Sequence, residues 1–188
     1  MKTGWEVKME VIIVFESVEG QNRKITEFLK RRISAAGHKV RLFDTQNRAA
    51  SVSFAGIDKV VLAAPVHERR HPKGFEVFLS ASRDELKASQ TLLISVSLKA
   101  AFSEGLEEAQ DYLIEMKMRT GFEPYREMLV AGAVRSSSYG YYESQIVKNV
   151  VLGDRQVDLV DGAHEFTDWD ALGVEIDAFL QDQLQHEA

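Results

Sequence analysis

The chain of 188 residues contains no cysteine, which excludes disulfide bonds, thiol catalysis, cysteine-ligated iron–sulfur clusters and Cys-type zinc sites. It has no dense cluster of lysine and arginine, and its formal net charge is −6, so we exclude a nucleic-acid partner. No apolar run approaches the ~20 residues of a membrane helix. The opening sequence MKTGWEVKMEVIIVFE is not typical of a signal peptide, because its apolar run is short and no small-residue cleavage site follows. We therefore expect a cytoplasmic protein.

Several motifs of nucleotide chemistry and hydrolysis are also absent. The dinucleotide fingerprint GxGxxG and the phosphate loop GxxxxGK[ST] do not occur. The hydrolase elbow GxSxG is missing as well. A phospho-receiver domain needs an aspartate at the end of its third strand, whereas here that strand ends VLAAPV.

The composition supports one packed domain. Hydrophobic residues make up 45% of the chain and charged residues 28%, values that are typical of a globular core and not of a disordered chain. We expect a single domain over residues 9–188, preceded by an N-terminal extension over residues 1–8.

Five short apolar segments predict β-strands. Their sequences are VIIVF (Val11–Phe15), HKVRLFD, DKVVLAAPV, TLLISVSL and EMLVAGAV. Because they alternate with helical patterns, they predict right-handed βαβ units and a doubly wound parallel α/β sheet.

Four helical patterns separate or follow these strands. The first begins at Gln21 and ends at Gly37, the second begins at Pro72, the third covers about residues 104–119, and the last has Thr167 as its N-cap. The third helix is predicted to turn Leu106, Ala109, Leu113 and Met116 inward and to keep Glu107, Glu108 and Glu115 in solvent.

About thirty residues, 135–165, separate the fifth strand from the last helix. A loop of that length is uncommon unless it is functional, and its stretch SQIVKNVVLG could form a short helix or an added strand. Its tyrosines and its position after the fifth strand lead us to expect that it covers the ligand end of the domain. Because it has few basic residues, we expect it to bind membranes weakly or not at all.

The loop after the first strand is a candidate anion site. Ligands of open parallel sheets bind beyond the carboxyl ends of the strands, and this loop runs directly into a helix N-terminus with free N–H groups. Gly20 lets the backbone approach an anion, and Ser17 and Asn22 add side-chain donors. The alternative is an ordinary strand-to-helix turn.

The loop sequence VFESVEGQN resembles the flavin-mononucleotide phosphate loop of flavodoxins and, more closely, the S-T-x-D-G-Q-T loop of the menaquinone-dependent protoporphyrinogen oxidase family. Further stretches are similar to that family's third, fourth and fifth strands and to its YTDW helix start: DKVVLAAPVHERRHPKGFEVFL, LLISVSLKA, VAGAVRSSSY and EFTDWDAL. The resemblance covers nearly the whole chain from residue 9. It implies a flavodoxin-like fold of strand order 2-1-3-4-5, with an insertion before the last helix, and bound FMN. It also implies an electron-transfer oxidoreductase that oxidises a porphyrinogen or related reduced substrate and passes the electrons to a quinone.

The resemblance also implies the site residues. The expected FMN-binding residues are Ser17, Val18, Glu19, Gly20, Gln21, Asn22, Pro65, Val66, His67, Ser97, Leu98 and Lys99. We expect Arg69 and Arg70 to bind substrate carboxylates, since arginine suits the carboxylates of a tetrapyrrole. We assign no catalytic residue and no metal ligand. The expected partner is a small-molecule substrate or electron acceptor, and a homodimer is compatible with the sequence.

The charged stretch HERRH, residues 67–71, has further interpretations. His67 and His71 have the i,i+4 spacing of a helical metal pair, but a strand precedes them and Pro72 follows. A solvated charged loop is the plainer interpretation.

Two departures from the family pattern favour a second hypothesis, a flavodoxin-like binding protein that has lost FMN. Glu16 stands where the family has serine, and no Phe, Tyr or Trp occurs between Ala64 and Gly74 to stack on a flavin. Glu16 must either turn away from a bound phosphate or face a like charge. The second case predicts that Glu16→Ser tightens FMN binding.

Overall fold

The computed structural model describes residues 8–47, 50–135 and 163–183, and its central feature is one sheet of five parallel strands. The strands are β1 Glu10–Phe15, β2 Lys39–Asp44, β3 Lys59–Pro65, β4 Gln90–Ser97 and β5 Arg126–Ala131. Their order across the sheet is β2-β1-β3-β4-β5. This order confirms the predicted doubly wound α/β fold.

Helices cover both faces of the sheet. They are α1 Gln21–Ala35, α2 Lys73–Ala81, α3 Arg83–Lys87, α4 Leu106–Thr120 and α5 Trp169–Gln181. Residues of α1 and α5 share one buried cluster with the sheet, and residues of α2, α3 and α4 share the other. Among the described residues, none of the helices is long and apolar enough to cross a membrane.

The two cores follow from the pleat of the buried strands. Successive side chains of a strand point to opposite faces, so Ile13 joins Ile25 and Leu172 on one face. Val14 joins Leu79 on the other face. All five side chains are fully buried, and each contributes roughly 1.5–3 kcal/mol through the apolar surface that it removes from water.

Four details of the helices differ from the sequence prediction. The short helix α3 was not predicted, and two 3₁₀ turns, Lys99–Ala101 and Ser103–Gly105, delay the start of α4. Leu106, predicted to face inward, is 45% exposed. Thr167 is not the N-cap of α5, because Asp168 Oδ1 accepts the bond from the Ala171 N–H at 2.9 Å.

The two ends of the segment between β5 and α5 lie next to each other. Two short strands, β6 Ala133–Arg135 and β7 Ala163–Glu165, pair antiparallel directly after β5. They bring the two ends of the insertion together at the carboxyl end of the sheet. The predicted element SQIVKNVVLG lies outside the described residues.

A buried lysine connects the amino end of the sheet to α5. Lys59, at the start of β3, is fully buried, and burial lowers the pKa of its ammonium group. Its Nζ donates to Gln90 Oε1 at 2.9 Å and to the carbonyl oxygens of Phe179 and Asp182 at 2.6 and 2.7 Å. These bonds attach the last turn of α5 to the sheet.

Candidate functional site

The loop after β1 leads into an uncapped helix. Gly20 occupies the N-cap position of α1 in a left-handed conformation, with φ 87°, and no side chain caps the helix. The first turn of α1 contains no acidic residue. The first N–H groups of α1 and its dipole therefore face the loop without a competing carboxylate in that turn, which is the arrangement that binds anions.

Two polar atoms, one in this loop and one in the first turn of α1, are buried without a hydrogen-bond partner. They are Ser17 Oγ and Asn22 Oδ1. The amide donor of Asn22 is already used, since Nδ2 donates to the carbonyl oxygens of Glu16 and Ala63 at 2.5 and 2.7 Å. Asn22 is therefore not the free donor that the sequence suggested, whereas Ser17 is. Buried unpaired groups are costly, and a phosphate beside Ser17 and a ligand hydroxyl beside Asn22 would satisfy both.

Glu16 points away from the anion loop. The period of two along β1 places its side chain on the same face as Val14, and Thr45 Oγ1 donates to its Oε2 at 2.5 Å. The same oxygen would lie only 2.9 Å from a Cβ at Gly74, in the first turn of α2, where the helix dipole favours a carboxylate. The structure thus removes the like-charge argument against a phosphate in the loop.

A small cavity of about 70 Å³ joins the predicted loops at the carboxyl end of the sheet. Nine of the twelve predicted FMN-binding residues line it: Val18, Glu19, Gln21, Asn22, Pro65, Val66, His67, Ser97 and Leu98. Its volume is well below the ~300 Å³ of a typical cofactor cleft. A flavin ring would therefore be only partly enclosed by this cavity.

Three predicted residues do not line this cavity. Gly20 lines the wider groove beside α1, Ser17 is buried, and the Lys99 ammonium group binds Glu108. Gly132 and Ala133 line the cavity directly after β5 and were not predicted from the sequence. The rule that ligands bind at the carboxyl ends of parallel strands could have included them.

An aromatic cluster stands next to the cavity. Phe102 and Phe166 pack edge to face with ring centroids 5.4 Å apart, and the His164 ring lies 4.4 Å from Phe166. The Phe166 N–H donates to the carbonyl oxygen of Gly132 at 3.0 Å, which places the cluster beside the cavity wall. The family pattern placed an aromatic residue in the loop after β3, so this cluster was not predicted from the sequence.

The charged stretch after β3 forms a tight turn. His67 and Arg70 exchange backbone hydrogen bonds of 2.9 and 3.0 Å, and the two residues between them, Glu68 and Arg69, have φ of 47° and 64°. Positive φ at both central positions defines the hairpin turn that normally selects glycine or asparagine. His67 Nδ1 lies 3.5 Å from Glu19 Oε1, so this turn meets the anion loop across the cavity.

The two predicted substrate arginines already have carboxylate partners. Arg69 Nη1 lies 2.7 Å from Glu108 Oε1, although 72% of the Arg69 side chain is exposed. Arg70 donates through Nε and Nη2 to Glu76 Oε2, and Arg119 binds the other oxygen of that buried carboxylate. Arg70 therefore belongs to the groove between α2 and α4 and not to the cavity.

His71 is a buried neutral histidine and not one half of a metal pair. Its Nε2 lies 2.9 Å from Ser95 Oγ, and its Nδ1 has no partner. Burial lowers the pKa of His71 to about 4. The described part of the chain contains no group of three or more side chains that could hold a metal ion.

The fold and the loops define a flavodoxin-type domain. A family model described as the flavodoxin domain matches residues 12–157, which is more than half of the chain, and the chain therefore belongs to that family.

The comparisons with individual proteins agree with this family. The chain is 23% identical over 144 residues to the protoporphyrinogen IX dehydrogenase [quinone] of Escherichia coli K12, a match that covers 76% of this chain and 79% of that protein. The crystal structure of oxidised flavodoxin 1 from Bacillus cereus matches with a TM-score of 0.54 at 13% identity, covering 93% and 99% of the two chains. A flavo-di-iron protein mutant from Thermotoga maritima matches with a TM-score of 0.51 at 10% identity, covering 95% of this chain and 36% of that one.

Proposed function

We propose that the chain is an FMN-dependent oxidoreductase. The observation that carries the proposal is the uncapped N-terminus of α1, with Gly20 in a left-handed conformation and the Ser17 hydroxyl buried without a partner. In a chain of the flavodoxin domain family, this combination supports a phosphate site at the position that the family resemblance implies.

Each part of the cofactor has candidate residues. The N–H groups of the first turn of α1 and Ser17 Oγ would bind the phosphate, and Asn22 Oδ1 would accept a hydrogen bond from the ribityl chain. The backbone of residues 65–67 and 97–99 would orient the ring. When bound, FMN supplies the electron-transfer chemistry, and the protein supplies binding, orientation and access. We assign no general acid or base.

The name of the relative from Escherichia coli supports a proposal for the substrate and the acceptor. That protein's name states that it dehydrogenates protoporphyrinogen IX and uses a quinone. We propose a porphyrinogen or a related reduced compound as substrate and a quinone-like acceptor for this chain. Arg69 is the better candidate for a substrate carboxylate, because most of its side chain is exposed, whereas Arg70 is held by the buried Glu76.

The test begins with the colour of the purified protein. Bound flavin absorbs at roughly 370 and 450 nm, a property of the cofactor itself. The unliganded protein is then titrated with FMN and with riboflavin, and the quenching of flavin fluorescence reports binding. We expect FMN to bind more tightly than riboflavin, because the α1 site recognises the phosphate. A colourless protein that takes up neither compound would overturn the proposal.

A second function is supported by the size of the cavity. At about 70 Å³ and with no Phe, Tyr or Trp in its lining, it also suits a flavodoxin-like binding protein that has lost FMN. Such a protein would give no flavin spectrum and no fluorescence quenching, so the same titration separates the two functions.

A further inference from the structure

Glu108, in the first turn of α4, joins three separate segments of the chain. Its Oε2 lies 2.7 Å from Lys99 Nζ, and its Oε1 lies 2.7 Å from Arg69 Nη1. The hydroxyl group of Tyr112, one turn further along α4, donates to the same Oε1. The sequence predicted a solvated glutamate at this position, whereas the Glu108 side chain is 26% exposed and bound by all three groups.

The two cations held by Glu108 belong to the loops that flank the cavity. Arg69 follows the cavity residue His67 by two positions, and Lys99 directly follows the cavity residue Leu98. Glu108 itself does not line the cavity. It therefore ties the loop after β3 to the loop after β4 from the outer side.

The loop after β3 needs such a tie. Glu68 and Arg69 both have positive φ, a conformation that costs of order 1 kcal/mol or more for a residue with a side chain. It persists only where the surroundings hold it. Two contacts hold the Arg69 side chain. It binds the Glu108 carboxylate, and its Cζ lies over the Tyr112 ring, 5.6 Å from the ring centre.

The network is stronger than an isolated surface ion pair. A single exposed pair contributes little, but several charges on one carboxylate form a network. The hydrogen bonds from Lys99 and Tyr112 lower the pKa of the Glu108 carboxyl group, and its place in the first turn of α4 adds the helix dipole. Glu108 is thus ionised at neutral pH and holds both loops there.

We propose that Glu108 is a positioning residue for the flavin ring, because it fixes the separation of the two loops that would flank that ring. This inference rests on the proposed function. It adds to that function by assigning ring affinity to Glu108, while phosphate affinity stays with the loop before α1.

The test compares Glu108→Gln with Glu107→Gln. Glu107 is the adjacent, exposed residue of the same helix, so both variants remove one negative charge from the same turn. We expect Glu108→Gln to weaken the binding of FMN and of riboflavin by the same factor, about tenfold. We expect Glu107→Gln to change either affinity by less than about twofold. An unchanged FMN-to-riboflavin ratio is the result that a loss of phosphate contacts would not give.

Two further measurements separate a change in the loops from a general loss of folding. Arg69→Met, at a largely exposed position, is expected to give a smaller loss of the same kind and should not prevent folding. In the unliganded protein, amide hydrogen exchange at residues 66–70 and 98–101 should be faster in Glu108→Gln than in Glu107→Gln.

The failures are distinguishable. If the parent protein binds no flavin, the proposed function fails, and the ring-positioning role fails with it. If the parent binds FMN but the two glutamine variants have equal affinities or equal loop exchange, only the inference about Glu108 is overturned. A loss in Glu108→Gln confined to FMN would overturn it too, since the effect would then lie at the phosphate.

Discussion

The two ends of the parallel sheet are built differently. At the amino end, the Lys59 ammonium group has three acceptors, and Arg126 binds both Asp182 and Glu175. Among the described residues, three of the four buried side-chain atoms without a hydrogen-bond partner lie at the carboxyl end: Ser17 Oγ, Asn22 Oδ1 and His71 Nδ1. The fourth, Arg41 Nε in β2, lies 3.4 Å from Glu10 Oε1. Buried polar groups are normally paired, so the amino end is the part that stabilises the fold. The carboxyl end carries unsatisfied groups where a ligand of this fold would lie.

The largest expected effect tests this difference within one helix. Gly20 and Gly37 lie just beyond the two ends of α1, with nearly equal φ of 87° and 91°. Gly20→Val is expected to abolish FMN binding, because its side chain would block the approach of a phosphate to the backbone. Gly37→Val is the matched control, since it has the same backbone strain and a Cβ there meets nothing within 4 Å.

Fluorescence quenching titrations and thermal unfolding decide the comparison. Both variants should lose similar stability, and only Gly20→Val should lose the flavin. If Gly20→Val binds FMN as well as Gly37→Val does, the loop after β1 is not the phosphate site and the central assignment fails.

At the amino end, Lys59→Met should affect stability and not binding. Methionine fits the apolar part of the site but leaves Gln90 and two carbonyl oxygens of α5 without their donor. Each unpaired buried acceptor costs about 1–3 kcal/mol, so we expect a loss of about 3–5 kcal/mol in denaturant unfolding. An FMN affinity reduced by more than a few-fold would show that the two ends are coupled.

His71 makes the carboxyl end sensitive to acid. Burial lowers its pKa to about 4 in the folded state, whereas the unfolded chain binds the proton near pH 6.5. Protons therefore favour the unfolded state between these values, and stability falls as the pH falls from about 6.5 to about 4. The loss is up to about 3 kcal/mol at ~1.4 kcal/mol per pKa unit.

His71→Gln isolates this contribution. The buried Glu76 and the more exposed Arg119 act on His71 electrostatically. Both remain in the two proteins, so their titration cancels in the difference. The free energy of unfolding of the parent should fall more steeply than that of His71→Gln across this pH range. Parallel curves would show that His71 does not titrate as its burial requires.

The sequence predicted the sheet well because buried parallel strands are continuous apolar runs with turns at known places. It failed where tertiary contacts redirect polar side chains. Thr167 has the spacing of an N-cap, but its hydroxyl donates to the carbonyl oxygen of Ala131 at 2.7 Å and accepts from Gln21. Asp168 is therefore the N-cap. Glu108 shows the same limit, since its partners Arg69 and Lys99 are 39 and 9 positions away in the chain and no local pattern joins them.

The smallest expected effect concerns Glu16, and it reverses the prediction from the sequence. Its carboxylate binds Thr45 and lies against Gly74, on the face of the sheet away from α1, so Glu16→Ser should leave FMN affinity within about twofold of the parent. The lost hydrogen bond should reduce stability by about 1 kcal/mol.

Gly74→Ala provides the cross-check, because a Cβ there would meet Glu16 Oε2 at 2.9 Å. In the parent we expect Gly74→Ala to destabilise the fold. In the Glu16→Ser background, the better helix propensity of alanine should stabilise the fold by up to about 1 kcal/mol. Tighter FMN binding by Glu16→Ser, or equal effects of Gly74→Ala in both backgrounds, would place the carboxylate at the phosphate loop after all.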